Sequence, residues 1–168
     1  MTIKVGDKLP PGTLMEYSEV EKSGCSIGPN PVSVEDLTKG KKVVIFGLPG
    51  AFTPTCSAKH VPSYLGSLDK LKAKGVDEIA CLSVNDAFVM GAWARDQKTD
   101  GKIRMLGDGS AEYAKKLGLE LDLNARGMGT RVQRFSMLVD NGLVKALNVE
   151  APGKFEVSDA DTMLKQLG

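Results

Sequence analysis

This chain has few of the residues that build metal sites and disulfide frameworks. Its 168 residues include one histidine, three cysteines (Cys25, Cys56 and Cys81) and no C-x-x-C pair. A zinc site draws on several Cys, His or carboxylate ligands at short spacings. Three widely spaced cysteines also do not form the framework of a small secreted protein. We therefore expect no metal or other cofactor, and cysteines that are either buried or catalytic.

The chain also lacks an excess of charge of either sign and lacks long apolar runs. Lys and Arg number 22 and Asp and Glu 21, which leaves a net charge of +1. Such a balance provides no electrostatic attraction to nucleic acid or to a membrane surface. No apolar run is long enough to span a bilayer, and the first residues contain no signal-peptide core. We expect a cytoplasmic protein that forms a single domain over residues 1–168.

Cys56 stands at a position where protein architecture activates a thiol. The apolar run 43–48 predicts a buried strand, and a short loop then leads to the start of a helix at Cys56. A helix start presents unpaired N–H groups and the positive end of the helix dipole, both of which favour the reactive thiolate. The sequence therefore predicts that Cys56 is a nucleophile. The alternative is a small buried hydrophobic residue.

The remaining pattern predicts alternating strands and helices around a mixed sheet. Asn141-Gly142 indicates a hairpin, Pro62 is expected to kink the helix that follows Thr55, and Ser158 is the expected N-cap of the last helix. Residues 21–31 are expected to form a loop. Strands are predicted at 13–17, 43–48, 78–84, 104–107, 135–139 and 143–149, and helices at 33–37, 55–71, 86–98, 110–117 and 158–167. This order predicts an α/β fold with a central mixed sheet flanked by helices.

The motif Pro49-x-x-x-Thr53-x-x-Cys56 resembles the signature of the peroxiredoxins. The run 49–62 is similar to the type II, or five-like, subfamily, and the blocks 81–90, 117–123, 131–137 and 144–149 continue the resemblance in the family's order. The resemblance implies a thioredoxin-like fold in which Thr53-x-x-Cys56 replaces a redox C-x-x-C pair. It also implies a thiol peroxidase that reduces hydrogen peroxide or alkyl hydroperoxides through a cysteine sulfenic acid.

The same resemblance implies partners and roles for single residues. Glutathione with glutaredoxin, or thioredoxin, regenerates the enzyme, and a homodimer forms through loops near the active site, with residues 86–89 as participants. Pro49 shields the sulfur, Thr53 orients the peroxide, and Arg134 activates both sulfur and peroxide. The alternatives are a rigid turn for Pro49, a loop or helix-capping hydroxyl for Thr53 and a solvated charge at a strand edge for Arg134. Arg131 is the competing candidate for the activating role. A strand would place residues 131 and 134 on opposite faces, so only one of them could point at Cys56 unless a bulge intervenes.

Two further residues have two interpretations each. His60 lies one helical turn after Cys56, so it is either a supporting partner of the thiol or a structural hydrogen-bonding residue. Cys81 lies in the apolar strand 78–84 and is either a buried inert thiol or the resolving cysteine proposed for some type II members. Cys25 has no family counterpart and is expected to be a bystander.

A second class of function also fits a reactive cysteine on this fold. A redox sensor or chaperone with a thioredoxin-like fold could carry the same thiol, but it would not turn over peroxide. The missing C-x-x-C pair argues against a disulfide oxidoreductase.

Overall fold

A seven-stranded mixed sheet forms the centre of the protein. The structure is a computed structural model and describes residues 1–19 and 27–168. The strands are β1 (Thr13–Ser18), β2 (Gly28–Ser33), β3 (Lys42–Leu48), β4 (Glu78–Ser83), β5 (Arg104–Gly107), β8 (Phe135–Asp140) and β9 (Leu143–Val149). Their order is β2-β1-β5-β4-β3-β8-β9, and only the β3–β4 and β4–β5 pairs are parallel. A separate antiparallel pair consists of β6 (Glu120–Leu123) and β7 (Gly129–Val132).

Helices cover both faces of this sheet. They are α1 (Val34–Thr38), a π-helix (Cys56–His60), α2 (Val61–Leu65), α3 (Leu68–Ala73), α4 (Ala87–Gln97), α5 (Glu112–Leu117), a 3₁₀ turn (Asn124–Arg126) and α6 (Ala160–Leu167). Strand β3 is buried on both faces, as its continuous apolar run predicts. Its Val43 and Ile45 face the core under α1 and α5, while Val44, Phe46 and Leu48 face the core under the other helices.

The predicted fold class and most of its strands are confirmed. The Asn141-Gly142 hairpin joins β8 to β9, and both turn residues have positive φ angles, 50° and 81°. The expected loop 21–31 is partly wrong, because residues from Gly28 onward form β2, which pairs with β1 along its whole length. Residues 20–26, which include Cys25, lie outside the described residues.

The helix predicted after Thr55 is broken once: the π-helix continues directly into α2, and a turn at residues 66–67 separates α2 from α3. A π turn spans Cys56–His60, and the N–H of Val61 reaches back five residues to the carbonyl of Cys56. Pro62 lies in the first turn of α2, where a helix can spare an N–H group. The change of register at the π turn therefore accommodates the proline that was expected to kink one continuous helix.

One other local prediction was wrong, and one pair of strands was missed. The N-cap of α6 is Asp159, and Ser158 instead donates its hydroxyl to Glu150. The β6–β7 pair was not predicted, because its four-residue strands are partly exposed and have no strong apolar alternation.

Candidate active site

Cys56 lies where the loop after β3 enters the π-helix. Its side chain is fully buried in the core between the sheet and helices α2, α3, α4 and α6. Arg134 donates from Nη2 to the Cys56 sulfur over 3.2 Å. A fixed positive charge thus lies within hydrogen-bonding distance of a buried sulfur.

Strand pairing explains why Arg134 lies beside the sulfur. It directly precedes β8, whose first residue, Phe135, pairs with Gly47 near the carboxyl end of β3. The Cys56 loop leaves β3 at this same end. A side-chain carbon on Gly47 would come within 2.8 Å of ring atoms of Phe135, so the glycine allows the close strand contact.

Arg131 holds the loop rather than the sulfur. It donates from Nε to the carbonyl of Met128 over 2.8 Å and from Nη1 to the carbonyl of Pro49 over 3.2 Å. The two arginines do not share a strand, because Arg131 belongs to β7 and Arg134 lies between β7 and β8, so the opposite-face argument does not apply to them. Both arginines reach the 49–56 loop, but they reach different atoms.

The loop that carries Pro49 and Thr53 is fixed by hydrogen bonds. The Thr53 hydroxyl donates to the carbonyl of Gly50 over 2.7 Å, which leaves the lone pairs of that hydroxyl available as acceptors. The N–H of Ala51 donates to Oδ1 of Asn85 over 3.0 Å. Pro49 is half-buried and Phe52 is exposed, so the two contribute apolar surface beside the site.

His60 is completely buried and contacts the arginine. Its Nδ1 lies 2.9 Å from Nη1 of Arg134, and its Nε2 lies 3.1 Å from the carbonyl oxygen of Ser158. Burial, with a further contribution from the Arg134 charge, lowers the pKa of His60 from 6.5 to about 3. The imidazole is therefore neutral at neutral pH, with Nδ1 accepting and Nε2–H donating. Both nitrogens are engaged away from the sulfur, which is unlike a Cys–His nucleophilic pair.

Cys81 is a fully buried thiol in the same core as Cys56. It pairs in register with Phe46 in the middle of the parallel β3–β4 ladder. Burial raises the pKa of the Cys81 thiol well above its usual value, and nearby Cys56 raises it further. Both cysteines are free thiols. In this folded state Cys81 is therefore a protonated, weak nucleophile.

Sequence reasoning missed three residues that support the site. Asn85 anchors the loop at Ala51, and Glu150 and Ser158 hold the segment that contacts His60. Glu150 and Ser158 carry no local motif of their own. Asn85 lies two residues after the end of strand β4, within the 81–90 block, and this position was its available signal, because loops at the carboxyl ends of parallel strands build sites.

Within residues 1–19 and 27–168, no group of three or more His, Cys, Asp or Glu side chains could hold a metal ion. No helix in these same ranges combines the length and apolar character that crossing a membrane requires.

Comparisons with known proteins agree with this geometry. The sequence matches the Redoxin family over residues 4–164, so the chain belongs to that family. It is 48% identical to Peroxiredoxin-2C of Arabidopsis thaliana, with 98% of each chain covered. It is also 48% identical to the chloroplastic Peroxiredoxin-2E of that plant, over 99% of this chain and 70% of the relative. The solved structure of reduced Prx3 from Vibrio vulnificus in complex with H₂O₂ superposes with a TM-score of 0.91, at 50% identity, with 99% of this chain and 100% of that chain covered.

These relatives define the subfamily and the activity. The chain is similar to type II, five-like peroxiredoxins along nearly its whole length, and it is a thiol-dependent peroxidase of thioredoxin-like fold. The predicted family resemblance and enzyme class are confirmed. The family also implies a peroxide substrate and a thioredoxin-type reductant.

Proposed function

We propose that Cys56 is the nucleophile that reduces hydrogen peroxide or an alkyl hydroperoxide. Its thiolate sulfur forms a bond to the terminal peroxide oxygen while the O–O bond breaks. The sulfur gives up an electron pair and becomes sulfenic acid, and the peroxide is reduced. The leaving oxygen takes a proton from solvent and departs as water or an alcohol.

Arg134 and Thr53 orient and polarise the peroxide in this proposal. The Arg134 guanidinium lies within hydrogen-bonding distance of the Cys56 sulfur, so it can also face the oxygens on which charge develops. Because the Thr53 hydroxyl donates to Gly50, it receives the peroxide O–H as an acceptor. Pro49 limits access of water to the sulfur, and the Cys56 N–H adds a further donor. His60 supports the arginine.

An external thiol completes the cycle. A glutathione thiolate attacks the sulfenic sulfur, hydroxide leaves and takes a proton from solvent to become water, and a mixed disulfide forms on Cys56. A second thiol, from glutaredoxin or glutathione, then forms a disulfide with that glutathione and releases Cys56 as a thiolate; thioredoxin is the alternative reductant. Cys81 does not resolve the sulfenic acid, because its pKa is raised by burial and its strand holds it inside the sheet.

The protein is further proposed to be a cytoplasmic homodimer. Two exposed aromatic side chains support an interface near the site, namely Phe52 at 53% exposure and Phe88 at 62%. Phe88 belongs to the 86–89 segment that the family resemblance implicates. Without a partner chain, both rings would remain in water.

The contact of Arg134 with the Cys56 sulfur is the observation that carries the proposal. The test is peroxide consumption with glutathione and glutaredoxin, or with thioredoxin, by the wild type, Cys56→Ser and the matched control Cys25→Ser. We expect Cys56→Ser to abolish turnover, because a serine hydroxyl is not ionised near neutral pH, and Cys25→Ser to match the wild type. Appreciable activity in Cys56→Ser would refute the assignment, and a wild type that reacts once without turnover would favour the redox-sensor alternative.

A further inference from the structure

We propose that Glu150, remote from the sulfur, is a positioning residue that sets the orientation of Arg134 in peroxide reduction. The carboxylate acts through the Ser158 carbonyl and His60, and the inference rests on the function proposed above. The name Glu150 clasp denotes this carboxylate together with the N–H groups and the hydroxyl of residues 156–158 that bind it.

The Glu150 clasp is a dense set of hydrogen bonds around a nearly buried charge. Glu150 is 7% exposed. Its carboxylate accepts the N–H of Glu156 at 2.9 Å, those of Val157 and Ser158 at 2.8 Å, and the Ser158 hydroxyl at 2.7 Å. Burial alone would raise the pKa of Glu150, but these bonds hold it below its usual value. The group is therefore a carboxylate at neutral pH and fixes the backbone of the segment before α6.

That fixed backbone holds His60 in place. The Ser158 carbonyl accepts from Nε2–H of His60 over 3.1 Å and from the Tyr64 hydroxyl over 2.9 Å. Phe155, from the same segment, packs with its ring centroid 5.0 Å from that of His60. His60 therefore receives both a polar and an aromatic restraint from the segment that Glu150 holds.

His60 in turn restrains the arginine. Its Nδ1 accepts from Nη1 of Arg134 over 2.9 Å, which directs the other terminal nitrogen, Nη2, to the Cys56 sulfur. The backbone of Glu150 adds a second restraint, because its N–H donates to the carbonyl of Arg134 over 2.9 Å. An arginine side chain has many rotamers, and a shift of its guanidinium by about 1 Å can reduce the rate of catalysis strongly. One residue outside the site thus holds both the main chain and, through two neighbours, the side chain of Arg134.

The test compares the peroxide reaction of Glu150→Gln with that of a control variant. The control loses another nearly buried carboxylate that also binds backbone N–H groups. Gln keeps the size but lacks the charge and directs an NH₂ group at N–H donors. We expect Glu150→Gln to lower the second-order rate constant for Cys56 oxidation by peroxide about 10- to 100-fold. We also expect the pH titration of thiolate absorbance to move to higher pH. Subtracting the absorbance of the corresponding Cys56→Ser protein leaves the signal of Cys56 alone. That titration needs no turnover, so it separates a failure of this inference from a failure of the proposed peroxidase mechanism.

Asp108 provides the matched control. It is 5% exposed and accepts the N–H groups of Tyr113 and Ala114 at 3.1 and 2.8 Å, so it is also a nearly buried carboxylate that binds backbone. Asp108→Asn is expected to lower stability to urea but to leave both the peroxide rate constant and the thiolate titration unchanged. Equal losses of rate in Asp108→Asn and Glu150→Gln would show a general effect of destabilisation and overturn the proposal.

A double-mutant cycle tests the route through His60. His60→Phe keeps an aromatic ring between its neighbours but removes both hydrogen bonds. If Glu150 acts through His60, the double variant Glu150→Gln/His60→Phe reacts within about twofold of the slower single variant. A multiplicative loss would contradict the route. If Glu150→Gln does not fold, His60→Phe alone decides: an unchanged rate constant and thiolate titration would refute the positioning of Arg134 from this segment.

Discussion

Arg134 has its two terminal nitrogens committed to different partners, His60 on one side and the Cys56 sulfur on the other. Arg131 has its guanidinium committed to two main-chain carbonyls. The two residues have the same charge and lie three positions apart, yet of the two only Arg134 has a hydrogen bond to the Cys56 sulfur. At the scale of single residues, this contact is the reason for proposing Arg134 as the activating group and Arg131 as a structural one.

This difference predicts unequal effects of the two alanine variants. Arg134→Ala removes the positive charge at the sulfur, so we expect the rate constant with peroxide to fall by about 100-fold or more and the thiolate absorbance titration to move to higher pH. Arg131→Ala releases the carbonyl of Pro49 but leaves the charge at the sulfur, so we expect about a tenfold loss or less and little change in the titration. Stopped-flow kinetics and the titration of both variants test this. A larger titration change for Arg131→Ala would exchange the two roles.

The π-helix is the element that brings His60 under the sheet and away from water. It places the imidazole beside the rings of Phe46 and Tyr64, with centroid distances of 4.9 and 5.8 Å. The folded protein therefore holds His60 neutral, with its pKa lowered to about 3, whereas in the unfolded chain the pKa is near 6.5. Below pH 6.5 the unfolded chain gains a proton that the folded protein does not bind, and stability falls as the pH decreases.

We accordingly predict that His60 contributes a pH dependence of stability. His60 is the sole histidine, and carboxylates remain largely ionised in both states above about pH 5.5. The His60 contribution should lower the free energy of unfolding by up to about 1.4 kcal/mol per pH unit as the pH decreases from about 6.5 toward 5.5. The contribution of Glu150 to the free energy of unfolding is lost only at lower pH, because the folded protein holds the pKa of this carboxyl below its usual value. Urea denaturation of wild type and His60→Phe measures this contribution: the slope should be smaller in the variant, and an equal slope in both would contradict the burial argument.

The elements also show what sequence can and cannot predict here. Strand β3 and the β8–β9 hairpin follow from local signals, a continuous apolar run and Asn141-Gly142, so their positions were predictable. Pro49, Thr53 and Cys56 are close in sequence and form a recognisable motif. The Glu150 clasp joins a residue at the end of β9 to the segment before α6, and then to His60 about 90 residues earlier in the chain. Such links depend on packing and leave no periodic pattern.

At the scale of the whole molecule, the fold excludes water from a thiol and places one guanidinium donor against it. Burial of Cys56 limits access to small substrates, while the exposed rings of Phe52 and Phe88 remain available on the outside. The Phe88 ring packs only partly, with its centroid 5.9 Å from that of Tyr17. A second copy of the chain would cover this surface.

The dimer proposal predicts a specific response to substitution. Phe88→Ser should weaken association, because it removes an exposed aromatic ring from the proposed interface. Val5 is also exposed, at 57%, but lies outside that surface, so Val5→Ser is the matched control. Sedimentation velocity should detect dimers of wild type and Val5→Ser and more monomer for Phe88→Ser. A wild type that sediments as a monomer at all concentrations would contradict the dimer.

Mass spectrometry after one equivalent of peroxide tests the central claim most directly, because it identifies the oxidised atom. The account predicts that Cys56 gains one oxygen, that glutathione replaces this oxygen on Cys56 when glutathione is present, and that Cys81→Ser behaves as the wild type and sustains turnover. A disulfide between these cysteines requires Cα atoms within about 7 Å and suitable Cβ directions. Oxidation confined to another residue would contradict the account. Rapid and complete formation of a Cys56–Cys81 disulfide, together with loss of turnover in Cys81→Ser, would instead make Cys81 the resolving residue.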